Sequence, residues 1–477
     1  MQIQIEKKKT TMLNQIQIFK RFLAHARLDT KQHQLEGVSW MLNQELNPED
    51  SNNIGGICAD DMGLGKTIQM IGLIVSNLKA NTLIVVPVSL LVQWENEIKR
   101  TLGFHPLVYY SKEKKDIDLD LLNLSPITLT TYGQLTSELC ILFKKKWDRV
   151  IYDEAHHLKN SNTRLWNIQS KIIRTYTWLV TGTPIHNSLR DVKNLFRLIG
   201  LKEIHKRYED YIKSYILKRT KAECDIILPE VESTNIVVPF ESDIESQEQH
   251  EKTISKELHS QLPFSIIDID TDSRKLTSYM STIERLPLIL QCRQMCIMPR
   301  LLKNKMEITS QFCSLDDDYQ SFGEAVESNS KMNKLCHDLR ERKNGQSKLV
   351  FCSFRIEMDY IEQQTKAMGY NVEVIDGRTT HAERKQILSQ TYDILILQIY
   401  TCSEGINLQN YSEIYITSPN WNPAIEDQAI GRCHRIGQKN KVYVYRYVMD
   451  DFDLRGIEKS MDSHIEKIQE KKREIYI

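Results

Sequence analysis

The chain has 477 residues, with 63 lysines and arginines against 63 aspartates and glutamates, so its formal net charge is zero. That balance excludes a polybasic coat whose hold on nucleic acid comes from bulk charge. A composition of 41% hydrophobic and 26% charged residues excludes global disorder. At roughly 150 residues per domain, the length suits about three domain-sized units or two large ones. No run reaches the roughly 18 consecutive apolar residues of a spanning helix. The N-terminal stretch MQIQIEKKKTTMLNQ has neither an apolar core nor a small-residue cleavage site, so neither membrane insertion nor secretion is expected. The ten cysteines include no CxxC pair. They read as reduced thiols, with Cys292 and Cys296 buried on a helix rather than forming half a zinc site.

Residues 1–29 read as an N-terminal extension. From 30 to 225, short β-branched runs alternate with helical patterns, the signature of parallel-sheet α/β units, with strands predicted at 82–87, 127–131, 149–152 and 178–181. Residues 226–330 carry 18 acidic and nine basic side chains, a net of −9 that leaves +9 on the rest. This stretch reads as a connector, helical at 241–258 and 286–302. The α/β rhythm returns over 331–459, with strands predicted at 348–353, 371–375, 393–398, 412–417 and 441–447. Residues 460–477 alternate charge at helical spacing and read as one exposed or bracing helix.

Residues 54–69, IGGICADDMGLGKTIQ, lead from a small apolar entry through a Gly-containing loop into a helix. This is a P-loop pattern. The backbone amides of Met62, Gly63, Leu64, Gly65 and Lys66 would cradle phosphate oxygens, Lys66 would reach the β- and γ-phosphates, and the Thr67 hydroxyl would hold Mg²⁺. The strict pattern has glycine where Asp60 stands. Further along, the strand in WDRVIYDEAHH ends in Asp153 and Glu154, a carboxylate for Mg²⁺ followed by a catalytic base for the attacking water. In QAIGRCHRIGQ (428–438), Arg432 and Arg435 are three apart on a predicted helical stretch and would share a face, as arginine fingers require.

With these motifs stand TLIVVPVSLLVQWENEI (82–98), LTTYGQL (129–135), WLVTGTPIHNSLRDV (178–192), ILKRTK (216–221), KLVFCSF (348–354), VIDGRTT (374–380), SEGINLQ (403–409) and SPNWNPAIEDQA (418–429). Together they resemble a SWI/SNF-type ATPase of helicase superfamily two, over nearly the whole sequence. Within it they lean toward the branch of the helicase-like transcription factor and transcription termination factor two. The SEGINLQ and GRCHRIGQ variants resemble those of large DNA viruses.

The resemblance implies an α/β protein of two RecA-like parallel-sheet lobes with a helical insertion between them and a C-terminal bracing helix. It implies an ATP- and Mg²⁺-dependent, DNA-dependent ATPase that steps along double-stranded DNA as a monomeric motor. Such a motor would work in the nucleus or, if virus-encoded, at the viral replication site. By the same resemblance Gln34 would contact adenine, while Gly405 and Asn407 would sense ATP and touch DNA. Thr181 and Thr183 would couple hydrolysis to lobe movement; Thr131, Ser353, Asp376, Gly377 and Trp421 match positions near the DNA track. Read as residues alone, Trp94 and Trp421 are packing side chains before they are stacking platforms.

The sequence departs from the family pattern at Thr401-Cys402-Ser403, where Ala-Gly-Gly is usual, and at His186 and Gly431. With five cysteines and no CxxC over 187–347, neither a RING domain nor zinc is expected. The alternatives are a strand-separating DNA or RNA helicase and a DNA-binding scaffold with a weakly coupled ATPase.

Overall fold

The computed structural model describes residues 2–46, 55–111, 113–136, 139–182, 189–201, 208–239, 282–302, 329–342, 345–404, 406–451 and 460–476. The chain divides into two compact units, Met1–Ile227 and Leu228–Ile477.

The first unit is built on strands β1 (Gly55–Cys58), β2 (Thr82–Val86), β3 (Leu107–Tyr109), β4 (Ile127–Thr131), β5 (Trp147–Asp153), β6 (Arg174–Val180) and β7 (Ile216–Leu217). They form one sheet in the order β3-β4-β2-β5-β6-β1-β7, and every pairing is parallel. The unbroken apolar runs explain this arrangement: β2 is buried at all five positions, as a strand covered by helices on both faces must be. One face packs Ile84, Ile151 and Trp178 against Phe19, Leu42 and Trp94, and the other packs Leu83, Val150 and Tyr152 against Leu158 and Phe196. Gly55 and Gly56 open β1 for steric reasons. A β-carbon on Gly55, at φ +125°, would lie 1.9 Å from Thr177 O; one on Gly56 would lie 2.7 Å from the Trp40 ring.

The second unit repeats the plan with β8 (Val231–Val238), β9 (Lys348–Cys352), β10 (Val372–Ile375), β11 (Ile394–Gln398), β12 (Glu413–Ile416) and β13 (Val442–Met449). The order is β10-β11-β9-β12-β13-β8, again parallel throughout. The fold class is thus as expected: α/β, two parallel sheets with flanking helices.

Strand β8 lies inside the stretch read as a helical connector. Its polar residues Glu232–Asn235 sit on an exposed sheet edge, so its composition resembles a loop while its backbone pairs with β13 over eight residues. The helix read over 241–258 lies outside the described residues. The one read over 286–302 is a helix at Thr282–Ile297 followed by a turn at Pro299–Leu302. On it Cys292 and Cys296 are both buried, and burial pushes the Cys292 thiol up to about 12. The tail is a helix, Met461–Tyr476, that braces the second unit: Ile465 is fully buried, and Gln469 and Lys472 donate to the carbonyls of Asn420 and Trp421 at 2.5 and 2.7 Å.

Candidate nucleotide site and the second-unit loops

The P-loop follows β1 and ends in the helix Lys66–Ser76. Gly65, at φ +80°, caps that helix and has no side chain with which to bond its first amides. Uncapped N-terminal amides with the positive end of the helix dipole make a receptor for an anion. Lys66 Nζ donates to the carbonyls of Asp60 at 2.7 Å and Asp61 at 3.2 Å, so the ammonium is held by its own loop.

Gln34, which the resemblance implies would contact adenine, sits beside this loop, where its Nε2 donates to Leu64 O at 3.2 Å. His33 does the same from Nε2 at 3.0 Å, and burial lowers its pKa, which suits the neutral donor form. A β-carbon on Gly65 would come 2.3 Å from Gln34 Nε2, so glycine there serves both the left-handed backbone and the approach of the helix. The Asp60 side chain is fully buried and points to Arg219 and Gln69. Its carboxylate is therefore internally engaged, and its carbonyl is what faces Lys66.

Asp153 ends β5. Its Oδ2 accepts from Trp94 Nε1 at 2.7 Å and its Oδ1 from Glu154 N at 2.9 Å. Burial, and then the neighbouring Glu154 charge, push its carboxyl up to about 6, while the Lys66 ammonium acts in the opposite sense. Tyr132, from LTTYGQL, fixes the strand end by donating to Asp153 O at 2.7 Å. Glu154 holds φ +49°, a left-handed conformation that costs a non-glycine residue about 1–2 kcal/mol. It lies 3.3 Å from His156 Nδ1. Burial and the adjacent His156 take His157 down to about 4, so it is neutral near pH 7.

After β6, Thr181 is buried and its amide donates to Cys58 O at 3.0 Å. A β-carbon on Gly182 would lie 3.4 Å from Met62 Cγ and 3.8 Å from Lys66 Nζ, so the start of the TGTP motif abuts the P-loop. Thr183, His186 and Gly405 lie outside the described residues. Thr67 is half-buried in the first helical turn. A buried carboxylate, a hydroxyl at a helix start and an uncapped amide cradle fit Mg²⁺ bound with phosphates. Trp94, Tyr132, Arg219 and His33 are the residues that sequence reasoning did not assign to this site. For Trp94, Tyr132 and Arg219 the signal was their place inside the motifs that carry the resemblance.

In the second unit the helix Pro423–Cys433 starts with Asn422, whose side chain accepts from Ala424 N, and with proline in its first turn. It ends at Cys433. Arg432 lies in its last turn and Arg435 beyond it, so the expected shared helical face is not what pairs them: the chain leaves the helix at His434 and turns through Gly437 at φ +105°. Burial, and then the Arg432 charge, lower the Arg435 pKa. Gln438 fixes the turn by donating to Gln409 O and Tyr411 O at 2.9 and 3.1 Å, and the His434 ring bonds Pro229 O at 2.8 Å.

Among the DNA-track positions, Asn407 is exposed and its Oδ1 accepts from Gln409 N. Gly377 is exposed, next to Asp376. Burial opposes ionisation of Asp376, but two Arg378 hydrogen bonds at 2.7 Å prevail and hold its carboxyl below the ordinary range. Ser353 Oγ accepts from the buried Arg293 at 2.9 Å. Trp421 is half-buried, edge-on to His464 with centroids 6.3 Å apart, which is a packing contact. Thr131 Oγ1, in the first unit, is buried with no partner among the described residues. Thr401 Oγ1 donates to Gln398 O at 2.6 Å.

Residues 33–210 match the SNF2-related domain and 330–437 the helicase conserved C-terminal domain. The chain thus joins an SNF2-related domain to a helicase conserved C-terminal domain.

It is 28% identical to an uncharacterized ATP-dependent helicase of Mycoplasma pneumoniae, over 90% of this chain and 41% of that one. It is 25% identical to the mouse SWI/SNF-related matrix-associated actin-dependent regulator of chromatin subfamily A member 1, over 88% and 41%. It is also 27% identical to a probable global transactivator of Orgyia pseudotsugata multicapsid polyhedrosis virus, over 92% and 89%. The chain thus spans about two fifths of the first two relatives and most of the viral one. A solved SWI2/SNF2 ATPase core of Sulfolobus solfataricus in complex with dsDNA is 23% identical, with a TM-score of 0.39, covering 94% of this chain and 92% of that one. That score is too low to carry an argument. Among the described residues no helix is long and apolar enough to cross a membrane.

Proposed function

We propose that the chain hydrolyses ATP to move along double-stranded DNA and displace or remodel the proteins bound there. The observation that carries this reading is the convergence in the first unit of an uncapped P-loop helix, Lys66 and the Asp153-Glu154 strand end. Lys66 sits close enough to affect Asp153, and Gly182 lies against the loop.

In this reading Lys66 leaves its two carbonyls for the β- and γ-phosphates, and Glu154 takes the proton of the attacking water. Thr67 and Asp153 would hold Mg²⁺, which neutralises phosphate charge when bound. Arg432 and Arg435 supply positive charge to the γ-phosphate, a contribution of roughly 10³–10⁵ in rate where such fingers act. A motor that must grip and release suits a chain of zero net charge, because phosphate contacts hold without regard to sequence and weaken with salt. The family relatives named for chromatin regulation and transactivation support work on DNA in a nucleus or at a viral replication site.

The test is ATP binding and turnover in two variants. Lys66→Ala should lose both, whereas Glu154→Gln should bind MgATP and hydrolyse it at a rate near background. Turnover retained in either one removes the site assignment.

A further inference from the structure

The P-loop is held by a clamp whose far end lies more than 150 residues along the chain. Arg219 reaches Asp60 with two nitrogens, Nε to Oδ1 at 3.0 Å and Nη2 to Oδ2 at 2.6 Å. Its Nη1 donates to His33 O at 2.5 Å, and its Nη2 also to Gln69 Oε1 at 3.2 Å. Gln69 in turn donates to Asp60 Oδ2 at 2.9 Å. Asp60 and Gln69 are fully buried. The backbone runs in step with the side chains: Ala59 N donates to Leu217 O at 2.7 Å, Asp61 N to Arg219 O at 2.9 Å, and Lys221 N to Asp61 Oδ2 at 3.2 Å.

The two carbonyls that hold Lys66 belong to Asp60 and Asp61, the residues gripped by this segment. When Lys66 turns to a phosphate, the Asp60 carbonyl gives up this donor and the Asp61 carbonyl keeps Leu64 N at 3.3 Å, while the clamp goes on holding both residues in place. His33, the other residue tied to Arg219, also fixes Leu64 inside the loop. One guanidinium therefore connects the loop entrance, the loop body and the helix carrying Gln34.

We propose that Arg219 is a positioning residue for ATP, holding the P-loop through Asp60, His33 and Gln69 in the shape that receives the phosphates. The bidentate fork explains arginine here, since a lysine ammonium cannot match both carboxylate oxygens and the His33 carbonyl at once. It also explains why aspartate replaces the glycine of the strict P-loop pattern at position 60. The proposal rests on the ATP reading of the site.

The experiment measures MgATP affinity by calorimetry and steady-state ATPase kinetics in the full chain, with thermal unfolding alongside. Arg219→Ala leaves a buried carboxylate unpaired and can fail to fold, so two milder variants decide the matter. Arg219→Lys keeps the charge but loses the fork. Gly37→Ala, inside a helix, places a methyl 1.9 Å from Gln69 Oε1 and 2.8 Å from Arg219 Nη2, which forces the clamp to shift without removing any charge.

Both should weaken MgATP binding about tenfold, and Arg219→Ala, if folded, up to about a hundredfold, since misplacing a site by about 1 Å has effects of that size. KM for ATP should rise by a larger factor than kcat falls. Wild-type affinity in both folded variants overturns the proposal, as does a fall in kcat with KM and affinity unchanged, or a loss of thermal stability alone. Failure of the wild-type chain to bind MgATP overturns the ATP reading itself.

Discussion

Trp94→Phe is a perturbation whose size can be worked from one hydrogen bond. The indole is 1% exposed and donates to Asp153 Oδ2 at 2.7 Å. Phenylalanine keeps most of the packing and removes the donor. A hydrogen bond to a charged buried group is worth about 1.5–3 kcal/mol, which corresponds to roughly ten- to a hundredfold in an equilibrium constant. Asp153 would then sit in its buried position without the partner that orients it for a cation, and outer-shell losses of this kind typically cost about 10- to 100-fold in metal affinity. The assay is ATPase rate against Mg²⁺ concentration at fixed ATP. The half-saturating Mg²⁺ should rise by roughly that factor. Ile98→Val serves as control: it is fully buried on the same helix, has no donor to offer Asp153, and should cost about 0.5–1.5 kcal/mol of stability with no change in Mg²⁺ demand. Equal Mg²⁺ curves for wild type and folded Trp94→Phe would refute the reasoning.

Two further variants probe the second unit. Arg435→Ala should reduce turnover by about 10³-fold or more while MgATP affinity stays within a few-fold, as measured by single-turnover kinetics and calorimetry; unchanged turnover removes the finger role. Glu357 is fully buried, and burial raises its carboxyl from 4.5 to about 7. A carboxyl raised in the folded state favours folding while neutral, so that contribution is complete below about pH 4.5 and is lost as pH rises to about 7. The loss amounts to about 3 kcal/mol at 1.36 kcal/mol per unit. Urea unfolding of Glu357→Gln should therefore show stability gaining on wild type by about that amount between pH 4.5 and 7 and level above it; a constant difference across that range contradicts the burial argument.

The parts of the site legible in the sequence are those whose chemistry is contiguous. GLGKT and DEAH announce themselves because a phosphate cradle and a metal carboxylate need fixed neighbours along one short stretch. Trp94, Tyr132 and Arg219 act on those stretches through contacts spanning 59, 21 and 159 residues of chain. Spacing along the sequence carries no trace of such contacts. The strands show the same division. Fully buried β2 and the buried stretch Arg149–Tyr152 of β5 read as strands, whereas β1 hides behind two glycines needed for close approach, and β8 hides behind the polar residues of an exposed edge. The shared helical face expected for Arg432 and Arg435 was not met, because the helix stops at Cys433 and Arg435 lies beyond it.

The central claim is that ATP hydrolysis at this site drives movement on double-stranded DNA. Its most direct test is ATPase rate with double-stranded DNA, single-stranded DNA or RNA as the only added polymer, together with triplex displacement and duplex unwinding on matched substrates. The account predicts stimulation by double-stranded DNA above the other two, displacement of the third strand, and duplexes left intact. Unwinding without a preference for double-stranded DNA would contradict it.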